Sequence, residues 1–478
     1  MKNEDLKELF KNTDNKILSR RDAIKLMGIS PIAASVLASA GSGSFTDAEA
    51  VDVKGKIAIV GGGSGAIMTL ARLHRAISNP DITIIAPNEI HLYQPGQVFV
   101  GAGLLTQQEL QKSNKDFIPD DVTWIKDEAA AFDPDNNTLT TRGGQVVGYD
   151  YLIVAAGVVN HFDRIKGLKE EDIGTKGISS VYQSDLAKGT CKGAVDLNKW
   201  FDEVKEAAKK GKPKVVYTSP NTPIKCGGAP QKILYLSADY LKRDGLSADF
   251  IYTPNSSKLF GFDEINDSLL KVQKRYDTIT NKFNHNLIEI DVKNKVATYE
   301  HNYTEKGAYD EEFDEYELIY KKETVKINYD FIHIVPPMSP PDAIMNSKLG
   351  WQKGDKGWLE VDMHTLQHRR YKNVFGIGDV CGIAYGKTGG TARHQAPIVV
   401  ENLLAVMQNK EPKAKFDGYT VCPLKVEYGK VIMAEFNYDG LAPTFSFLKP
   451  EKPRWIWWVF DLYMLKPMYW HLMLRGWM

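Results

Sequence analysis

The stretch Lys56-Ile57-Ala58-Ile59-Val60-Gly61-Gly62-Gly63-Ser64-Gly65-Ala66 constrains the fold more than any other part of the chain. Ile57 to Val60 form a short apolar run of the kind buried in a parallel sheet, and Ile67 to Ala76 then repeat apolar residues at helical spacing. The glycines therefore fall at a strand-to-helix turn, in the G-x-G-x-x-G/A spacing of a dinucleotide loop. Gly61 allows the tight turn, Gly63 lets the backbone approach a pyrophosphate, and Ala66 lets helix and strand pack closely. Ser64 and Gly65 complete the loop at the helix start. The second strand, Ile82 to Ile85, should end in an acidic residue for the adenosine ribose. Ala86 stands there, followed by Pro87, Asn88 and Glu89, so either Asn88 or Glu89 reaches the ribose or the contact is lost.

A chain of 478 residues is too long for one compact core, and two or three domains are expected. Lysine plus arginine and aspartate plus glutamate each total 60, which removes any charge argument for nucleic acid. With 43% apolar and 25% charged residues the chain is globular and not disordered. Four cysteines do not make a disulfide scaffold at this length, and no metal site is read.

The amino terminus, residues 1–50, reads as an export signal. Ser19-Arg20-Arg21-Asp22-Ala23-Ile24-Lys25 is a twin-arginine pattern, an uncharged and moderately apolar stretch runs from Leu26 to Ala40, and small residues offer cleavage points at Ala38-Ser39-Ala40 and Ala48-Glu49-Ala50. The expected location is the periplasm, with the protein peripherally bound to the inner membrane.

Beyond the first loop, His91-Leu92-Tyr93-Gln94-Pro95-Gly96 opens a Gly- and Pro-rich segment that either packs as surface loop or lies along the cofactor. Tyr151-Leu152-Ile153-Val154 is a strand leaving through Ala155-Ala156-Gly157, and the small side chains of Ala156 and Gly157 let the backbone approach a nucleotide. The same architecture restarts at Pro213 to Thr218, with an amphipathic helix expected from Ile233 to Arg243. The turn between them, Ser219-Pro220-Asn221-Thr222-Pro223-Ile224-Lys225-Cys226-Gly227-Gly228-Ala229-Pro230, lacks a second glycine fingerprint, which argues against NADH or NADPH. Cys226 is either an inert small residue or a reactive thiol favoured as thiolate by Lys225 and by the following helix N-terminus.

Leu287 to Phe331 reads as antiparallel strands around a solvated acidic insert, Asp310 to Glu315. Asn373-Val374-Phe375-Gly376-Ile377-Gly378-Asp379 is a second nucleotide segment, whose Gly378 and Asp379 are placed for the ribityl and pyrophosphate region of a flavin. Cys381 leaves this strand beside the expected ring, and Lys387 is either a solvated lysine or a charge near the flavin's N1/O2 edge. Residues 455–478 hold five of the nine tryptophans, interrupted by Asp461, Lys466 and Pro467. They are expected to form two short helices in a membrane interface, the other reading being a helix pair packed on the protein's own core.

His91 to Gly96, Asn221 to Lys232, Gly376-Ile377-Gly378-Asp379 and Asp417-Gly418-Tyr419-Thr420-Val421-Cys422-Pro423-Leu424 together resemble the sulfide:quinone oxidoreductases, most closely the branch that includes the mitochondrial enzymes. The resemblance implies an α/β chain with two Rossmann-like domains, one binding FAD and one NAD-domain-like, plus a C-terminal amphipathic membrane-interface segment. The expected organisation is a signal region (1–50), an FAD-binding domain in two parts (51–165 and 341–420), a second Rossmann-like domain with a β insertion (166–340) and a C-terminal quinone region (421–478). It further implies that Cys226 and Cys381 are the redox pair, although Val380 separates Cys381 from the Gly-Asp it directly follows in the mitochondrial branch. Cys422 is read as structural, and Cys191 as a surface thiol or a third family cysteine. Hydrosulfide would attack a Cys226–Cys381 bridge, electrons would pass through FAD to quinone, and a second sulfur nucleophile would remove the persulfide sulfur. Sulfide, quinone and a membrane surface are the implied partners, with a homo-oligomer as a further implication. The competing readings are the flavoprotein subunit of a flavocytochrome c sulfide dehydrogenase, a type II NADH:quinone dehydrogenase and a non-catalytic sulfide-sensing flavoprotein. Leu359 after Gly357-Trp358 disfavours the first, because that subunit carries cysteine there.

Overall fold

The computed structural model of the protein describes residues 50–478 apart from 277, 355, 356, 446 and 447. The twin-arginine pattern and its apolar stretch lie outside the described residues.

The elements that position the site begin with β1 (Lys56–Val60), α1 (Ser64–Ala76), β2 (Asp81–Ile85), β3 (Thr123–Ile125) and β4 (Tyr151–Val154). A second set comprises β5 (Ile178–Ser179), α2 (Lys192–Ala208), β6 (Lys214–Ser219), α3 (Ala229–Lys242), β7 (Asp249–Pro254), β8 (Ile279–Asn281) and β9 (Phe331–His333). The chain then returns through β10 (Val374–Gly376) and α4 (Gly389–Met407) and ends with β11 (Thr420–Glu427), β12 (Lys430–Asn437) and α5 (Trp455–Val459).

Two five-stranded parallel sheets carry the architecture. The first has the order β10-β4-β1-β2-β3 and the second β5-β9-β6-β7-β8. Four of the five residues of β1 are buried, as a strand covered on both faces requires. Full burial of Ile57 or Ile59 contributes roughly 2 kcal/mol apiece. Pairing of β10 with β4 brings the Gly378-Asp379 turn to the same sheet end as the first glycine loop. The second sheet is Rossmann-like, yet the turn after its strand β6 holds the cysteine loop. Between β8 and β9 the strands His285–Asp291, Val296–Asp310 and Glu315–Asn328 form an antiparallel arm whose acidic turn is exposed.

Strand β11 pairs antiparallel with β12, and α3 packs on β11 while α5 packs on β12. This layer seats the carboxy terminus. Trp455–Val459 continues through a π-helical turn Phe460–Met464, a helical turn Leu465–Met468 and a second π-helical turn Tyr469–Met473. Trp457, Trp458, Phe460, Tyr463, Tyr469 and Trp470 are all buried. Trp470 stacks on Phe117, Trp458 meets Phe99 edge-on, and His91 Nε2 lies 2.5 Å from the Tyr469 hydroxyl. Most of this segment thus packs on the protein's own body, the other reading of its sequence: its rings fill the space over the first domain. Among the described residues no helix is long and apolar enough to cross a membrane.

Candidate active site

One cavity runs from the first glycine loop to the carboxy-terminal helices. Gly63, Ser64, Gly65, Gly157, Gly378 and Asp379 line it, and Met433, Phe445, Trp457, Leu465, Met468 and Met473 give it an apolar chamber. The His91 loop contributes Leu92, Tyr93, Gln94 and Pro95 to its wall, so this segment does lie along the cavity. A methyl group added at Gly63, Gly157 or Gly378 would meet no protein atom within 4 Å, and the last two have φ of +66° and +78°. Gly63 also caps α1 without a side-chain hydrogen bond, which leaves the helix N-terminus open toward the cavity. Three glycine cradles around a helix N-terminus fit a dinucleotide. Gly61 serves the turn itself: a Cβ there would lie 2.3 Å from the Ala155 carbonyl oxygen. Ala66 is fully buried against the sheet and Ala156 packs toward the neighbouring core, so neither faces the cavity. Of the two ribose candidates, Asn88 donates from Nδ2 to the Gly62 carbonyl at 3.1 Å and Glu89 pairs with Lys126 at 2.7 Å.

Cys226 lines the same cavity, in a left-handed backbone conformation with φ +55°. Such strain in a non-glycine residue persists where the surroundings enforce it. Its N–H donates to the Lys387 carbonyl at 2.8 Å, and its carbonyl accepts from Ala229 at the start of α3. Two side chains hydrogen-bond to the Cys226 sulfur, the first being Cys422 on β11. Gly228 permits the approach, since a Cβ there would fall 2.5 Å from Cys422 Sγ. Lys232, in the first turns of α3, donates to Cys226 Sγ at 3.0 Å. The Cys422 hydrogen bond and the Lys232 charge hold the Cys226 thiol well below its ordinary range, and Cys422, the proton donor of the pair, is raised.

The fold does not bring Cys381 to Cys226. Cys381 is fully buried in a separate core with Leu359, Val361 and Val380, and burial pushes its thiol up to about 12. Its side chain lies against Gly376, where an added Cβ would fall 2.9 Å from Cys381 Sγ. Cys191 is also fully buried, its thiol raised by burial to about 11, so it is no surface thiol. Lys225, the neighbour expected to activate Cys226, turns its ammonium to Gln94 Oε1 at 2.9 Å. Lys387 lines the cavity, but its ammonium donates to the carbonyls of Asp379 (2.6 Å) and Cys381 (3.0 Å) and lies 3.6 Å over the Trp358 ring. Two functional candidates were therefore missed in the sequence. Lys232 carried a usable signal, lying one helical start beyond the cysteine loop; Cys422 carried only its resemblance segment.

Comparison with known proteins completes the assignment. Residues 55–193 match the family description pyridine nucleotide-disulphide oxidoreductase. The mitochondrial sulfide:quinone oxidoreductase of Dictyostelium discoideum is 36% identical over 424 residues, covering 88% of this chain and 86% of that one. The chain belongs to the sulfide:quinone oxidoreductase family. A second member, the mitochondrial enzyme of Mus musculus, is 34% identical with the same coverage. The X-ray structure of the Aquifex aeolicus sulfide:quinone oxidoreductase shares the fold at a TM-score of 0.62, with 18% identity over 80% of this chain and 84% of that one. As a flavoprotein of this family the chain uses FAD, for which the loops at Gly63, Gly157 and Gly378 are the fitting residues. The expected periplasmic location is overturned by the mitochondrial designation of these relatives. An Arg-Arg pair ahead of a Ser- and Ala-rich stretch is an address read by a receptor, and such compositions are shared by signals for different compartments.

Proposed function

We propose that this family member oxidises sulfide at the Cys226–Cys422 pair and delivers the electrons to a quinone in the apolar chamber. The observation that carries the reading is a lysine-held thiolate on the wall of the glycine-cradled cavity with a second, buried thiol within hydrogen-bond reach of it. In the bridged form, hydrosulfide attacks the Cys422 sulfur. The S–S bond breaks, Cys422 becomes a persulfide, and Cys226 departs as the thiolate that Lys232 holds. The direction follows from leaving-group chemistry, because the thiol with the lower pKa leaves faster. A second sulfur nucleophile then takes the outer sulfur from Cys422. FAD, when bound, supplies the two-electron link between thiolate and quinone. The walls of the chamber, including Met433, Phe445, Trp457, Leu465 and Met468, exclude water and suit an apolar ring system.

Membrane contact falls to Trp455, 63% exposed at the start of the carboxy-terminal run. A quinone insoluble in water makes such contact useful, and vesicle flotation of Trp455→Ser would test it: undiminished binding would remove this residue from the role. The central test is anaerobic. Sulfide is expected to bleach the flavin absorbance of the purified enzyme and a soluble quinone analogue to restore it, with NADH inert. Bleaching by NADH and not by sulfide would overturn the reading.

A further inference from the structure

Lys425 and Asp461 form an ion pair of 2.6 Å in which each side chain is only 2% exposed. Buried pairs of this kind seldom add net stability, because desolvation offsets the Coulomb attraction. Their position therefore carries the interest. Lys425 lies three residues beyond Cys422 on β11, and Asp461 lies in the π-helical turn Phe460–Met464; both line the cavity. Lys232, equally buried, donates to Cys226 and lies within electrostatic range of both members of the pair. Elsewhere on the wall of the same cavity, Lys225 and Lys387 are the cations around the Asp379 carboxylate, which is itself within electrostatic range of Cys226. Asp461 is thus the carboxylate that acts on Lys232, alongside Cys226, and competes with the sulfur for its ammonium.

We propose that Lys425 is a positioning residue for the anionic substrate: by holding Asp461 it keeps the Lys232 charge directed at the cysteine pair, where it draws in hydrosulfide. The inference rests on the Cys226–Cys422 pairing proposed above. Bridging the pair removes the negative charge from Cys226, and Lys232 then faces no anion at the sulfur. Hydrosulfide restores the balance. When it attacks Cys422, one S–S bond breaks and one forms, the proton stays on the outer sulfur, and the single negative charge moves onto Cys226 beside Lys232. No further reactant is needed for this step. Without Lys425, the Asp461 carboxylate would take the Lys232 ammonium and repel the incoming anion.

The test uses the FAD-loaded full chain, oxidised, with thiocyanate as an inert monovalent probe. Lys425→Gln is expected to weaken thiocyanate binding by calorimetry about tenfold and to raise KM for sulfide similarly, with kcat changing less. Lys425→Gln/Asp461→Asn, which removes both charges, is expected to return both quantities near wild type. A double variant as weak as the single one, or equal affinities in all three proteins, would overturn the proposal. Lys232→Gln guards against a folding failure of the first variant: it should lose thiocyanate affinity to the same extent, and retained affinity there also overturns the idea. Peptide mapping of the non-reduced protein separates the two levels. Absence of a Cys226–Cys422 link would defeat the pairing itself, whereas its presence with flat anion affinities would defeat only the role of Lys425.

Discussion

Lys232 Nζ stands 3.0 Å from Cys226 Sγ, while Lys225, the adjacent residue in the chain, directs its ammonium to Gln94. Consecutive residues at a strained turn point in different directions, whereas the first turns of α3 return Lys232 over the cysteine loop. Cys226 owes its thiolate character to Cys422 and to this cation. Its folded pKa is depressed, so the thiolate is present above that lowered value and is lost only as the pH falls through it.

Alkylation should report this directly. In the reduced protein at pH 6, iodoacetamide is expected to label Cys226 ahead of the other three cysteines, and Lys232→Met should slow that labelling about tenfold or more. Peptide mass mapping over time measures both, and equal labelling of Cys381 would contradict the electrostatic assignment.

The two candidate partners of Cys226 separate cleanly by substitution. Cys422→Ser is expected to abolish rapid flavin bleaching by sulfide. Cys381→Ala, in the separate core, should keep it and cost about 1 kcal/mol of stability. Stopped-flow absorbance and chemical denaturation decide the matter; loss of bleaching in Cys381→Ala with Cys422→Ser active would restore the pairing read from the sequence.

Two glycines in one loop should fail in different ways. At Gly61 a side chain meets the Ala155 carbonyl and a φ of +117°, so Gly61→Ala should destabilise the fold by about 2 kcal/mol or more. At Gly63 the added methyl enters open cavity, so Gly63→Ala should leave the melting temperature of the cofactor-free protein unchanged while weakening FAD retention on gel filtration. Similar melting losses in both would remove the cradle assignment of Gly63.

Docking of the carboxy terminus should depend on pH through His91. Burial lowers its folded pKa from 6.5 to about 4, so the unfolded chain takes up the proton first as the pH falls. The stability it contributes is present above 6.5 and is lost progressively between 6.5 and about 4. Buried His333 and His368 and half-buried His394 are lowered likewise, so the measurement is a difference. The fall in Tm across this window is expected to be smaller in His91→Asn than in wild type, and parallel pH profiles would show that His91 carries none of it.

What the residues determined alone was everything local. The apolar run and glycine spacing at Ile57 to Ala66 specify strand, turn and helix, and the prolines of Ser219 to Pro230 exclude a second fingerprint, because backbone sterics and hydrogen-bond donors act within a few residues. The family resemblance carried the chemistry to the cysteine loop. Pairing across the chain was decided only by the tertiary structure. Cys422 lies 196 positions from Cys226 by their numbering and reaches it because α3 packs on β11, while Cys381 is buried in a separate core with Leu359, Val361 and Val380. The carboxy-terminal aromatic residues show the same division: composition specified a large apolar surface, but whether lipid or protein covers it depended on the shape of the first domain, where Phe99, Phe117 and His91 receive Trp458, Trp470 and Tyr469.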